Sequence, residues 1–476
     1  MHLQRVQVPD FRVLKDVDIT FEKDFNPRVF PLGSQNGGGK STLLQLIFVL
    51  LHCSTNTKRL PALKNLVSNI TLTKHKVENV LATIDIWDGT KTVNLEFFVC
   101  GDNYINTPDQ KNVKSFSLFT ELKDLNKKIS NLKSQEEKLK KVIQQFKMSK
   151  SNPFRSHFEN PIDTLERDLL SFNIDFESIQ IAAFDTDFLS KIGDETNLKL
   201  LHERRKAEIE SAVISESIDT LIETLKLNKT KFITTYSSQE DDEIKAILCR
   251  VDNLDMEIAD QFLNDLSNKI FLSAPSTQVF LFLPKKTIKS LFNDKNNYQS
   301  ELTGMNSNLS GLFTYDFLAT DILIEAFEKA RDKDFKEALK TGDYGNNYKK
   351  LLQDLDFLLH DKQVNLTDDF SGLTFKLDRF KDSIELYPED LSHGELKRLS
   401  IYVWLKYQNI EDAIVLMDEV DLALHPDWQY QIVSDLVEWS PSNQYILATH
   451  SYELCQALTP SHVKVLEPKL TERRSD

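Results

Sequence analysis

Val29-Phe30-Pro31-Leu32-Gly33-Ser34-Gln35-Asn36-Gly37-Gly38-Gly39-Lys40-Ser41-Thr42 decides the fold of this chain. An apolar strand runs into a glycine loop, and the uninterrupted apolar run Leu43–Leu51 that follows has helical length. Glycines let consecutive backbone N–H groups converge on an anion, a helix starting near Lys40 points its positive end at it, and the ammonium adds a full charge. Asn36, Gly37, Gly38, Gly39, Lys40, Ser41 and Thr42 are therefore the candidate phosphate cradle, with the Ser41 hydroxyl placed for Mg²⁺. The loop departs from the strict G-x-x-x-x-G-K-[ST] spacing, because Ser34 stands where glycine is wanted and Gly33 is displaced by one. Upstream, Val6 and Val8, then Val17, Ile19 and Phe21, alternate as half-buried strands do. Arg12 lies in the turn between those strands. It is either a basic surface residue or a partner for the phosphates, and spacing does not separate the two.

The complementary half lies far down the chain. Ala413-Ile414-Val415-Leu416-Met417 is an apolar run of the kind that forms a buried parallel strand, and it delivers Asp418-Glu419 at its C-terminal end. Asp418 is placed to hold Mg²⁺ with Ser41, and Glu419 to polarise an attacking water as general base. Tyr445-Ile446-Leu447-Ala448 reads as a second buried strand ending in Thr449-His450-Ser451, where His450 can hydrogen-bond a γ-phosphate. Before both comes Leu391-Ser392-His393-Gly394-Glu395 and a helical apolar pattern, another helix start suited to an anion. One triphosphate does not need two such ends. Economy assigns Leu391, Ser392, His393, Gly394 and Glu395 to the nucleotide of a second copy, so that two heads sandwich two nucleotides.

The order of phosphate loop, L-S-H-G-E, D-E and T-H-S resembles the ABC-type ATPase head, in which these are Walker A, signature, Walker B and switch histidine. The stretch Asp418-Glu419-Val420-Asp421-Leu422-Ala423-Leu424-His425-Pro426-Asp427-Trp428-Gln429 is similar to the RecF/SMC-like and overcoming-lysogenization-like ATPases of DNA repair and phage defence. The resemblance covers roughly the first 100 and last 110 residues and implies ATP and Mg²⁺ as ligands. His393 departs from the usual second signature residue, and no Q-loop glutamine can be placed from the sequence.

Lys40 and Asp418 stand 418 − 40 = 378 residues apart, so the expected fold is α/β, an ABC-type P-loop ATPase head split by a large helical insertion with a short coiled coil. The expected divisions are 1–110 for the N-terminal part of the head, 111–175 for the coiled-coil arm and 176–200 for a strand returning to the head. A helical insertion domain over 201–340 and the C-terminal part of the head over 341–476 complete them. Leu118, Leu122, Leu125, Ile129, Leu132, Leu139, Ile143 and Phe146 step by fours and threes, with Glu136 the one polar break, a four-heptad seam of ~43 Å. From Glu121 to Lys150 there are nine lysines and four acids. This is either the solvated face of a helix or a basic arm for DNA, RNA or a partner protein. No matched return leg is evident. Ser178–Phe184 reads as a strand, Gln239–Glu243 as an acidic loop, and Leu373–Leu377 and Ile384–Leu386 as strands leading back to the signature.

Composition bounds the remaining readings. Hydrophobic residues make up 40% and charged residues 28%, the balance of a globular chain. The four cysteines are scattered, suggesting neither a zinc site nor a disulfide framework and fitting a reducing cytoplasm. A net charge of −15 excludes a generally DNA-coating surface, and no apolar run is long enough to span a membrane. With 476 − 450 = 26 residues after His450, no C-terminal Toprim nuclease is expected. In size and head motifs the chain resembles the ATPase subunit of Septu anti-phage defence, which implies a homodimeric or higher switch working with a separate HNH-nuclease partner. The other classes are a RecF-like repair ATPase acting on DNA directly and an ABC transporter head.

Overall fold

The computed structural model describes residues 1–68, 70, 77–105, 116–150, 186–237, 243–282, 304, 307–315, 319–359, 362–367, 372–377 and 384–466. The chain divides into two compact units, Met1–Cys100 with Asn228–Asp476, and Gly101–Leu227.

The first unit carries the nucleotide motifs on a parallel sheet. Its strands are β3 (Val29–Gly33), β8 (Ile270–Ala274), β9 (Leu312–Thr314), β13 (Ile414–Asp418), β14 (Gln444–Ala448) and β15 (Lys464–Val465), in the order β15-β3-β14-β13-β8-β9. Period two sorts their side chains onto two faces. Phe30, Leu32, Leu272, Ile414, Leu416, Ile446 and Ala448 enter one buried cluster, and Val29, Val415, Met417, Tyr445 and Leu447 enter the other. Burial on both faces is what turns these strands into the continuous apolar runs seen in the sequence.

The first cluster is closed by helix α1 (Lys40–Cys53) and a second sheet, antiparallel at its β2-β1-β4-β5 and β7-β6 pairings. That sheet is built from β1 (His2–Phe11), β2 (Leu14–Thr20), β4 (Glu78–Trp87), β5 (Thr92–Gly101), β6 (Thr230–Ser237) and β7 (Ile244–Asp252). Helix α1 is buried from Leu43 to Cys53, which explains its all-round apolar surface. The buried Gln444 side chain accepts from the Leu3 N–H at 2.7 Å and donates to the Leu3 carbonyl at 2.9 Å, joining the two ends of the chain. Helix α2 (Leu60–Val67) and the helix Met256–Ser267 also pack into this cluster.

On the opposite face lie the helices Ala319–Thr341, Asn347–Leu359, His393–Tyr407 and Pro426–Trp439 and a three-stranded sheet, β10 (Lys362–Leu366), β11 (Leu373–Leu377) and β12 (Ile384–Leu386). The last two strands stand where the sequence placed them.

Two expectations are corrected. Residues 201–340 are not a helical domain, since β6 and β7 extend the antiparallel sheet and β8 and β9 the parallel one. A short apolar run such as Ile270-Phe271-Leu272 or Ala246–Cys249 has no period that separates buried strand from buried helix. The second correction is a return leg. In the Gly101–Leu227 unit, helix α3 (Ser117–Lys150) packs along helix α4 (Thr186–Leu227).

Ile129, Leu132 and Leu139 of α3 are buried in that seam, and so is Glu136, whose carboxylate is met at 3.0 Å by Arg204 of α4. The expected polar break is thus an ion pair. The α4 side of the seam runs through Leu201, Arg204, Ala207, Ser211, Ile214, Ile218, Leu221 and Leu225, and its arginine, alanine and serine interrupt the apolar periodicity that would have announced it. Ser178–Phe184 and most of Gln239–Glu243 lie outside the described residues, as do the side chains of Ile143 and Phe146.

Candidate nucleotide site

Strands β3, β13, β14 and β8 end on the same edge of the parallel sheet, so their C-terminal loops are neighbours. In the glycine loop, Gly37 and Gly39 take φ of 80° and 92°, the left-handed region where side chains are strained. The departure at Ser34 has a local counterpart. A Cβ on Gly38 would lie 2.5 Å from Ser34 Oγ, so the serine fills the space that glycine leaves open. Gly39 is likewise pressed by the turn between β1 and β2, where Leu14 Cδ2 would stand 2.6 Å from a Cβ. Gly39 caps helix α1 without a side-chain hydrogen bond, and the first N–H groups of that helix have no intrahelical acceptor.

Lys40 is buried, and its Nζ lies 3.2 Å from the Ser34 carbonyl, 3.1 Å from Ser34 Oγ and 2.9 Å from His450 Nε2. With the ammonium as donor, this hydrogen bond is accepted by His450 Nε2. Two motifs 410 residues apart therefore share one hydrogen bond. Burial lowers the Lys40 pKa, against the pull of Asp418, Asp421 and Glu419.

Asp418 is buried at the end of β13, where it is hydrogen-bonded to Ser41 and to Gln278. Burial pushes its carboxyl above the ordinary value, with Gln278, Ser41 and Lys40 pulling the other way. Glu419 is less buried, yet burial and then the neighbouring Asp418 raise it too. A carboxylate and a hydroxyl side by side are hard oxygen donors, the set that suits Mg²⁺ when substrate phosphates and water complete its shell. Among the described residues no cluster of three or more His, Cys, Asp or Glu forms an all-protein metal cage.

Gln278 was not legible in the sequence. It follows strand β8 and Pro275, accepts from Gln45 Nε2 of helix α1 at 2.8 Å and donates to Asp418. The only signal was position, a glutamine four residues beyond an apolar strand.

The L-S-H-G-E segment forms a helix start. Ser392 caps the helix His393–Tyr407 and makes a reciprocal capping box with Glu395. Burial opposes the ionisation of Glu395, but hydrogen bonds from Lys362 and Ser392 outweigh it and hold the carboxyl below its ordinary value. Leu391 is buried, whereas Ser392 and His393 are exposed. Arg12 is exposed with φ of 54°, and its guanidinium donates to the Leu66 carbonyl at 2.9 Å at the end of helix α2. That hydrogen bond directs Arg12 to a helix C-terminus.

The family model described as AAA ATPase domain (AAA_15) matches residues 1–455. The chain belongs to the AAA_15 family of ATPases. A retron Vc95 probable ATPase from Vibrio cholerae serotype O1 biovar El Tor is 44% identical over 54 residues, 11% of this chain and 10% of that protein. The Septu protein PtuA from Bacillus mycoides strain KBAB4 is 27% identical over 124 residues, 25% of this chain and 17% of its own length. The chain thus matches under a fifth of the length of either relative. Of solved structures, an SMC head domain from Thermotoga maritima aligns with 96% of this chain and 92% of its own at 8% identity and a TM-score of 0.36. So slight a likeness adds nothing to what the strands of this ATPase show directly. No helix among its described residues is long and apolar enough to cross a membrane.

Proposed function

We propose that this ATPase is the nucleotide-driven switch of an anti-phage defence complex, in which ATP brings two heads together and the dimer controls a separate HNH-type nuclease. The observation that carries the reading is a division of labour. Lys40, Ser41, Asp418, Gln278 and His450 are joined by hydrogen bonds into one site, while Ser392 and His393 open an exposed helix start whose hydroxyl is engaged with Glu395. A second copy supplies the natural use for that end. The relatives, a Septu protein and a retron ATPase, point to defence.

In this reading the backbone from Asn36 to Thr42 and the Lys40 ammonium hold the β- and γ-phosphates, and His450 contacts the γ-phosphate. Ser41 and Asp418 would hold Mg²⁺, which would supply positive charge against that of the phosphates. Glu419 takes a proton from water as the water oxygen bonds to the γ-phosphorus and the bridging bond to ADP breaks. Its raised pKa makes it a stronger base than an ordinary carboxylate. Leu391–Glu395 close over the phosphate of the other copy, and Arg12 contributes positive potential at the loop's margin.

The test compares wild type with Glu419→Gln and Ser392→Arg in turnover and in light scattering with and without ATP. Glu419→Gln should bind ATP, accumulate as a dimer and lose turnover by about a hundredfold or more. Ser392→Arg should bind ATP as a monomer and hydrolyse it poorly. Equal turnover for Glu419→Gln overturns the base assignment, and intact hydrolysis in Ser392→Arg overturns closure by a second copy. Strong stimulation by duplex DNA alone, with no partner protein, would favour direct action on DNA over control of a nuclease.

A further inference from the structure

The acidic strand ends in a turn that its backbone does not adopt freely. Glu419 and Ala423 take φ of 51° and 69° without being glycine, a region that costs ~1–2 kcal/mol per residue. Within the turn, the Leu422 N–H donates to the Glu419 carbonyl at 3.1 Å and the Leu424 N–H to that of Asp421 at 3.1 Å. The Glu419 N–H reaches the Ala448 carbonyl of β14 at 3.0 Å. Two of the turn's carbonyls then converge on a single side chain. Lys397 Nζ donates to the Glu419 carbonyl at 2.6 Å and to the Leu422 carbonyl at 3.0 Å.

Lys397 is 6% exposed, and its ammonium lies 4.1 Å from the centre of the Tyr315 ring. Tyr315 is itself buried, with its hydroxyl 2.9 Å from Ser273 Oγ at the end of β8. Burying an ammonium is costly unless its hydrogen bonds are met, and here they are met by the backbone of the residue that carries the candidate base. The lysine belongs to the helix that opens at Ser392. The first turn of the same helix touches the same loop, since a Cβ on Gly394 would stand 2.7 Å from the Ala423 carbonyl. The helix start and the acidic turn are therefore joined at both ends, through Gly394 against Ala423 and through Lys397 on Glu419 and Leu422.

We propose that Lys397 is a positioning residue for hydrolysis, fixing the backbone of Glu419 from the signature helix, so that engagement of Leu391–Glu395 sets where the carboxylate points. The proposal rests on the reading of Glu419 as general base. A chain that needed only a filled cavity would place methionine or leucine here.

Lys397→Met keeps the stem and removes the donors, and Lys397→Arg keeps charge and donors. Affinity for a fluorescent ATP analogue, turnover and thermal unfolding are measured for both, with Glu419→Gln in parallel. Lys397→Met is expected to bind the analogue within twofold of wild type and to lose kcat by roughly 30- to 100-fold, the size of effect that a misplaced group produces. Lys397→Arg is expected to recover most of that loss. If Glu419→Gln is inactive while Lys397→Met turns over like wild type, positioning by Lys397 is wrong and the base reading stands. If Glu419→Gln stays active, the base reading fails and the lysine's role with it. Equal losses in affinity and kcat would assign Lys397 to structure alone and overturn the proposal. Should Lys397→Met not fold, Lys397→Gln is judged by the same separation of kcat from affinity.

Discussion

The parallel sheet and the α3–α4 helix pair both bury charged side chains, and they do so on different terms. At the sheet's edge, Lys40 meets three acceptors, Asp418 meets Ser41 and Gln278, and Lys397 meets two carbonyls and a ring. In the helix pair, Glu136 faces Arg204, and Glu136 Oε1 has no hydrogen-bond partner among the described residues. Redundant contacts hold a reacting constellation in place. A buried polar pair in a largely apolar seam does something narrower, because a slip of one helix along the other leaves the buried Glu136 carboxylate unmatched, which fixes register.

That contrast can be broken in order of expected effect. Lys40→Ala should lower ATP affinity and turnover by about a hundredfold or more while leaving helix content and the arm's unfolding untouched. A titration with nucleotide and a circular dichroism melt check both halves of the statement. Gly394→Ala forces a methyl toward the Ala423 carbonyl and should cost about 2 kcal/mol of stability together with turnover, read from denaturant unfolding and steady-state hydrolysis.

Glu136→Leu takes from Arg204 the carboxylate it meets across the seam and leaves it Glu208 at 3.5 Å on its own helix, and with that arginine side chain 23% exposed the loss should be about 1 kcal/mol. The double variant Glu136→Leu with Arg204→Leu should recover the melting temperature while loosening register, seen as altered cross-linking between cysteines placed at positions 126 and 211. Changed turnover in either arm variant would erase the distinction drawn between the two regions.

The smallest effect is a pH dependence within the head. His52 is buried, with Nδ1 donating to the Ser267 carbonyl at 2.7 Å and Nε2 accepting from the Gly311 N–H at 3.3 Å, and burial lowers its pKa to about 4. The unfolded chain binds that proton near pH 6.5, so the contribution is present above that value and is lost as pH falls toward 4. Between pH 7.5 and 5.5, His52→Gln should flatten the fall in stability by roughly 1 kcal/mol. An unchanged slope would show that the ring is not held neutral.

The phosphate loop and the acidic strand were legible because each compresses its chemistry into adjacent residues. Gln278 was not, since its partner Asp418 is 140 residues away and a lone glutamine has no spacing to betray it. Nor was Lys397, whose acceptors, the carbonyls of Glu419 and Leu422, are backbone groups 22 and 25 residues further along the chain. The first leg of the coiled coil announced itself through leucines and isoleucines, whereas its partner helix spends seam positions on Arg204, Ala207 and Ser211. Strands β7 to β9 were missed for the converse reason, because near-complete burial removes the alternation that marks a strand, and β6 mixes buried and half-buried positions irregularly.

The neighbours of β3 bear on how the molecule is made. Within the parallel sheet that strand lies between β14 and β15, residues 444–448 and 464–465. On the ribosome it emerges 444 − 33 = 411 residues ahead of β14, about 20–80 s at ordinary elongation rates. During that interval β3 has neither of its parallel-sheet neighbours, and the helix behind it has only the antiparallel sheet to pack with. Premature truncation upstream of β14 should therefore yield an N-terminal fragment that needs a chaperone, and translation speed through the middle of the message sets how long the exposure lasts.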